Sequence, residues 1–300
     1  MFDQVKILFK SITDETNTLK AVWKVLYASV GYVSSLYAAT VLLKNLSGYD
    51  NLEMWTKAHW LIIVIFGLIS SCIHNRKKIN FCKKVSGCDM QVAISVKDIF
   101  ANREANSFII PTNTFFRTKM QDEYISPRSV QGRFQLKYFK YNLENLDMLI
   151  EESLKKQNIK GEETRDCFGA VMKYPIGTVA KVDYKKKHYY FVAINNVNEY
   201  GKPVEQCLKN VAIALESVIK AILKMGHYDI LCIPLIGSGR AAIQEATKEK
   251  VFQQTVDCFL QSDNKIASEL IISISPKDYL EGTVNFDRME KYLDYRCEFR

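Results

Sequence analysis

The chain has 300 residues, 25% of them charged and 48% hydrophobic, with a formal charge of +8. That much apolar material builds a sizeable core, which excludes a disordered chain, a collagen-like repeat and a disulfide-stapled miniature. Length allows about two domains at a prior of ~150 residues each.

The first dozen residues set Phe2, Val5, Phe9 and Ile12 at helical spacing. Such a face suits an interfacial helix or ordinary amphipathic packing. Two uncharged stretches follow, 19 residues from Val25 to Leu43 and 18 from Ala58 to Asn75. At ~1.5 Å per residue each just crosses a hydrocarbon core of ~30 Å. The alternative is a pair of buried core helices. Ser29, Ser34, Ser35 and Thr40 dilute the first stretch but suit close helix packing. Trp23, Trp55 and Trp60 fall at the span ends, where amphipathic rings prefer the interface. Lys6, Lys10, Lys20 and Lys24 precede the first span, and Arg76, Lys77, Lys78, Lys83 and Lys84 follow the second. The positive-inside rule then predicts a multi-pass protein of the cell inner membrane, with the N-terminus and the C-terminal domain cytoplasmic. The late start of the apolar run argues against a cleaved signal peptide.

The expected division is an N-terminal segment over 1–84 and a cytoplasmic body over 85–300. In the body, Met90, Val92, Ile94 and Val96 alternate with polar or small residues, which predicts a half-buried strand. Phe108 to Ile110 reads as a short buried strand that stops at Pro111. Thr178 to Tyr184 and His188 to Ile194 flank Lys185, Lys186 and Lys187, a hairpin with a solvated turn; a lipid or nucleic-acid patch is the alternative. Apolar residues from Val204 to Ile222 mark a long helix stopped at Gly226. Ile230 to Pro234 is a strand, Gln244 to Leu260 a helix and Leu270 to Ile274 a strand. Strands alternating with helices predict an α/β layered domain with a mixed sheet and helices on both faces.

Eight cysteines occur at positions 72, 82, 88, 167, 207, 232, 258 and 297, with no Cys-x-x-Cys among them. Cys232 and Cys258 sit in apolar runs, so reduced thiols are expected rather than bridges. His59, His74, His188 and His227 are scattered, so no metal site is expected. The body carries only half of the positive surplus, which does not call for nucleic acid.

The sharpest motif is Pro234-Leu235-Ile236-Gly237-Ser238-Gly239-Arg240. Gly237, Ser238 and Gly239 can turn backbone N–H groups toward an anion, and Arg240 supplies a planar donor fork. A plain strand-to-helix turn is the alternative. Asp98 and Ile99 close the first strand of the body, and Asn113 follows the next, where α/β sheets collect ligands. Each alone also reads as a cap or turn former.

The order of these pieces resembles the macro domain, an ADP-ribose-binding module, over roughly residues 85–275. That resemblance implies that Asp98, beside Ile99, holds the adenine and Asn113 the distal ribose. It also implies that Gly237, Ser238 and Gly239 face the diphosphate. The family's first glycine-rich loop is reduced here to Ser126-Pro127-Arg128-Ser129-Val130-Gln131-Gly132, with Gln131 and Gly132 as its candidate contacts. The aromatic that often follows the late loop is replaced by Ala241 and Ala242. Without a full first loop, the resemblance implies binding rather than catalysis. Two membrane helices joined to such a domain resemble the membrane-anchored effectors of the Thoeris anti-phage family. This implies an effector that senses an ADP-ribose-derived signal, such as a histidine conjugate, made by a TIR-domain NAD-cleaving partner. Such an effector then self-associates to disrupt membrane lipid. A membrane-anchored ADP-ribosyl hydrolase and a passive ADP-ribose anchor are the alternatives. The pattern calls for no cofactor beyond this nucleotide ligand.

A Gly239→Glu substitution places a carboxylate where the diphosphate is expected. A repulsion of ~3 kcal/mol lowers affinity more than a hundredfold. Calorimetry with ADP-ribose checks this, and unchanged affinity would move the pocket away from the late loop.

Overall fold

The computed structural model describes residues 2–13, 18–47, 51–76, 79–225, 229–237, 243, 246–262 and 264–300. Two units divide between Ile79 and Asn80. The division falls earlier than residue 84 because Phe81–Lys84 is already a strand of the body's sheet.

The first unit holds α1 (Phe2–Thr13), α2 (Thr18–Ser47), α3 (Asn51–Ala58) and α4 (Trp60–Asn75). Within α2, the 25 residues Val22–Leu46 are long and apolar enough to cross a membrane. The second expected span is cut short at His59, whose backbone leaves the helical region at φ −112°. Its Nδ1 lies 2.8 Å from the Trp55 carbonyl and its ring stacks on Trp55 at 4.6 Å. What remains, α4, is ~24 Å long at ~1.5 Å per residue, less than a hydrocarbon core of ~30 Å. The expected pair of spanning helices is therefore narrowed to one helix of membrane length and a shorter apolar companion.

The two helices pack antiparallel through small residues. Ser71 Oγ donates to the Val25 carbonyl at 2.6 Å. A Cβ on Gly67 would stand 2.7 Å from Val33 Cγ2 and 3.2 Å from the Ser29 carbonyl, so glycine sets the approach. Ser29 is buried here, while Ser34 and Ser35 face outward, contrary to their expected role in packing.

The body runs β1 (Phe81–Lys84), β2 (Gln91–Val96), β3 (Ser107–Asn113), α5 (Val130–Tyr138), α6 (Leu143–Lys156), β4 (Glu162–Asp166), β5 (Gly169–Lys173), β6 (Val179–Tyr184) and β7 (Lys187–Val197). It continues through β8 (Pro203–Val204), α7 (Leu208–Met225), β9 (Ile230–Pro234), α8 (Lys248–Leu260), β10 (Glu269–Ile274), α9 (Pro276–Leu280) and α10 (Phe286–Glu298). The main sheet has the order β1-β2-β10-β9-β3-β7-β6, with β8 added on β7. From β2 to β7 all neighbours are parallel, and β1 and β6 are antiparallel edges.

Helices cover both faces. Val92, Ile94, Ile109, Tyr190 and Val192 pack with residues of α7, α8 and α10. Ala93, Phe108, Ile110, Tyr189 and Phe191 pack on the other side with Phe134, Leu146, Ile150 and Leu154 of α5 and α6. This is why β2 is buried throughout from Val92 to Val96 rather than half-buried as its alternation predicts. Strand β3 passes through Pro111 instead of stopping there. It pairs with β9 only at Ser107 and Phe108, so that flank needs no donor at Pro111.

The hairpin turn is Lys185 and Lys186 alone, at φ 49° and 60°, the left-handed pair that a two-residue turn demands. Lys187 belongs to β7 and donates to the Ala105 carbonyl at 2.6 Å, so it is not a solvated turn residue. Val204 lies in β8 rather than in α7. The helix expected from Gln244 starts at Lys248, where Thr247 Oγ1 accepts from the Lys250 amide at 3.3 Å. Gly226 and Gln244 lie outside the described residues.

All eight cysteines are free, and burial pushes the Cys258 and Cys297 thiols up to about 11. At neutral pH both stay protonated and are poor nucleophiles.

Strands β4 and β5 form a separate hairpin that the sequence reading does not anticipate. Asp166, at the end of β4, ties it to the loop after β3. Its carboxylate accepts from Arg117 Nε at 2.9 Å and Nη2 at 3.1 Å, from Tyr124 Oη at 3.0 Å and from the Phe168 amide at 2.9 Å. Burial and this carboxylate push the Tyr124 phenol far above its ordinary range. Asp166→Ala leaves Arg117 without its counter-ion and should cost about 3–5 kcal/mol. Urea denaturation of the two proteins checks this, and a loss under ~1 kcal/mol would mean that water replaces the pair.

Candidate functional site

Parallel strands put their carboxyl ends on one edge, and four of the predicted residues stand there. Asp98 and Ile99 follow β2, Asn113 ends β3, and Gly237 follows β9. β2 and β3 are three strand steps apart, ~14 Å at ~4.8 Å per step.

The Asp98 end is built on a buried polar frame. Asp98 caps the short turn Ile99–Ala101, accepting from the Phe100 amide at 2.8 Å, and its second oxygen is ion-paired with Arg133 Nη1 of α5. Ile99 points into the core. Beneath the turn, buried Asn102 accepts from Ser95 Oγ at 3.0 Å and donates to the Ile99 carbonyl at 3.3 Å. Ser273 Oγ of β10 donates to the Lys97 carbonyl at 2.8 Å. The Asp98 and Arg133 side chains keep 37% and 32% of their surface, so the pair presents both an acceptor and a cation at the rim.

At the other end, Asn113 is buried, and its Oδ1 accepts from the Phe115 amide at 2.9 Å. No hydrogen bond among the described residues uses its Nδ2, which stays available as a donor. Beside it on β7 stands Asn195, its register partner.

Gln131 and Gly132 are placed differently from a phosphate loop, because their segment is the first turn of α5. Ser129 Oγ accepts from the Gly132 amide at 3.0 Å, a helix cap that takes up that donor. A Cβ on Gly132 would lie 2.1 Å from the Ser126 carbonyl, so this glycine lets the loop pack on the helix. Gln131 accepts from Thr112 Oγ1 at 2.9 Å and donates to the Arg117 carbonyl at 2.9 Å. Both residues support β3 and its following loop.

Gly237 has φ +76°, a left-handed conformation that suits glycine. With Asn195, Gln206, Cys207, Val211 and Ile236 it lines a cavity of about 10 Å³. Ser238, Gly239 and Arg240, with Ala241 and Ala242, lie outside the described residues. A larger groove of about 930 Å³ runs between the β1–β2 turn and α10, lined by Lys83, Lys84, Asp89, Asp294 and Glu298. It lies at the amino-terminal end of β2, the edge opposite Asp98, and mixes both charges. Among the described residues no group of three His, Cys, Asp or Glu side chains could hold a metal ion.

The sequence reading missed Arg133, Asn195 and Gln206. Asn195 carried a usable cue, since an amide ending an apolar run is what singled out Asn113.

A mixed sheet covered on both faces, with a polar carboxyl edge of this layout, is the α/β fold of a macro domain. Residues 92–275 match the family described as Thoeris protein ThsA, Macro domain, more than half of the chain, and the chain belongs to that family. It is 23% identical over 180 residues to the Thoeris protein ThsA of Bacillus amyloliquefaciens (strain Y2), covering 60% of this chain and 57% of that protein. The chain thus matches little more than half the length of that relative. Among solved structures it is similar to the Oceanobacillus iheyensis macrodomain with ADP, at 11% identity and TM-score 0.48, over 73% of this chain and 97% of that one. It is also similar to the Trypanosoma brucei macrodomain in complex with ADP-ribose, at 9% identity and TM-score 0.42, over 68% of each chain.

Gly132→Ala forces α5 away from the Ser126 carbonyl and should cost about 1–3 kcal/mol by overpacking. Thermal melting checks this, and an unchanged midpoint would show that the loop moves freely.

Proposed function

We propose that the carboxyl edge of the sheet binds an ADP-ribose-type nucleotide, and that the chain is a membrane-tethered sensor of anti-phage defence. One observation carries the reading. Asp98 with Arg133, Gly237, and Asn113 lie along one edge in that order of strands, over the ~14 Å that three strand steps span. An acceptor and cation for a base, a glycine turn for phosphates and an amide for a sugar follow one another at that spacing.

The ligand is an ADP-ribose-derived signal, such as a histidine conjugate, made by a TIR-domain enzyme that cleaves NAD. Membership of the Thoeris family supports this placement. The tether is α2, and α4, shorter than the hydrocarbon core, returns the chain to the cytoplasmic side only with the bilayer thinned around it. Signal binding drives self-association and membrane disruption, because a ligand shifts an equilibrium by its differential affinity for the assembled state. Binding outweighs hydrolysis in this reading. Asp98 is held by Arg133 and stands ~14 Å along the edge from Asn113, too far to orient water there.

The full chain in detergent micelles, titrated calorimetrically with ADP-ribose, is expected to bind it and return it intact on chromatography. No binding sinks the reading, and turnover makes the chain a hydrolase. An impermeant thiol reagent on intact cells should label a cysteine placed at Gly48. An unlabelled but membrane-bound protein would exclude the returning hairpin.

A further inference from the structure

We infer that Asn195 is a second sugar-reading amide, set beside Asn113 by a β-bulge, and that it contacts the terminal ribose of the bound nucleotide. The inference rests on the nucleotide reading above and adds a specificity-determining residue to it.

The bulge is explicit in the β3–β7 register. Thr112 pairs with Ala193, but Asn113 pairs with Asn195, so Ile194 is the extra residue. A one-residue slip turns a side chain to the other face of a strand, and bulges beside functional sites re-aim side chains in this way. The slip brings Asn195 opposite Asn113, the last residue of β3. The Thr114 amide then donates to the Asn195 carbonyl at 3.2 Å and locks the backbone after the bulge.

Asn195 is buried, with a relative exposure of 6% for the residue, yet its amide is barely committed. Its Nδ2 reaches the Asn196 carbonyl at 3.5 Å, the outer limit of a bond, and Oδ1 accepts from no donor among the described residues. Oδ1 is not one of the fully enclosed unpartnered atoms among the described residues, so it keeps surface that a ligand hydroxyl can reach. The cavity it lines, with Gly237 on the late loop and Gln206 before α7, is about 10 Å³. That is room for about one water, or for one hydroxyl in its place. Asn113 offers a free Nδ2 donor and Asn195 a free Oδ1 acceptor. A hydroxyl is donor and acceptor together, so two neighbouring amides of opposite sense match the vicinal hydroxyls of a sugar.

ADP-ribose and ADP separate this contact from the rest of the site, because ADP lacks the terminal ribose. Calorimetry on the full chain in detergent should show wild type binding ADP-ribose more tightly than ADP. Asn195→Ala, and the isosteric Asn195→Leu, should weaken ADP-ribose about tenfold, a typical loss for an amide hydrogen bond. Both variants should bind ADP within about twofold of wild type, since a contact to the absent ribose contributes nothing there. Thermal midpoints of the three proteins establish that the variants fold. Equal ADP-ribose affinity in wild type and Asn195→Leu overturns the inference. So does a parallel loss for both ligands, which marks a structural role, or a wild type that does not prefer ADP-ribose. A wild type that binds neither ligand refutes the nucleotide reading itself, and this inference falls with it.

Discussion

Five adjacent parallel strands with helices packed on both faces leave little freedom for polar chemistry. Past their first residues, the side chains of β2, β9 and β10 are buried, most of them among aliphatic or aromatic neighbours on the two covered faces. Backbone donors and polar side chains can reach solvent only where the ladder ends. The carboxyl ends of β2, β3, β7 and β9 therefore gather Asp98, Asn113, Asn195 and Gly237, although these residues are spread over some 140 positions of chain. The buried frame of Ser95, Asn102 and Ser273 serves the same end, fixing the Lys97–Ile99 backbone from below.

The N-terminal unit presents a different kind of surface. Helix α2 exposes Trp23, Leu26, Tyr27, Val30, Leu42 and Leu43, a surface unsuited to water. Its contact with α4 brings Ser29, Gly67 and Ser71 together, with Val33 against Gly67 and the Tyr32 ring edge-on to His74. Close backbone approach and a side-chain hydroxyl bonded to a carbonyl are how helices associate where no hydrophobic drive separates lipid from protein.

Much of this was readable in advance. Strands β2, β9 and β10 and helix α7 follow from apolar periodicity, as do the positions of Asp98 and Asn113 at strand ends, while Gly237 is marked by its glycine motif. What escaped has physical reasons. Pro111 reads as a stop because the open flank of β3 is a matter of pairing, not of local pattern. Strand β4, Glu-Glu-Thr-Arg-Asp, carries no apolar alternation because its hairpin is mostly solvated. Ser129 three residues before Gly132 is a capping pattern, and weighing it would have moved Gln131 and Gly132 into a helix. Arg133 meets Asp98 only through the packing of α5 on the sheet. Asn195 depends on a bulge that neither strand reveals alone.

The Arg117–Asp166 pair has a consequence for motion. The guanidinium of Arg117 grips the β4–β5 hairpin, while its carbonyl is held by Gln131, whose amide also takes the Thr112 hydroxyl next to Asn113. Gln135 holds the neighbouring Thr118 carbonyl at 2.7 Å. The hairpin, the loop over 114–125 and the start of α5 are thus one mechanical piece. They are expected to share a single opening event in amide hydrogen exchange, so that a ligand clamping Asn113 would slow exchange in a hairpin it never touches.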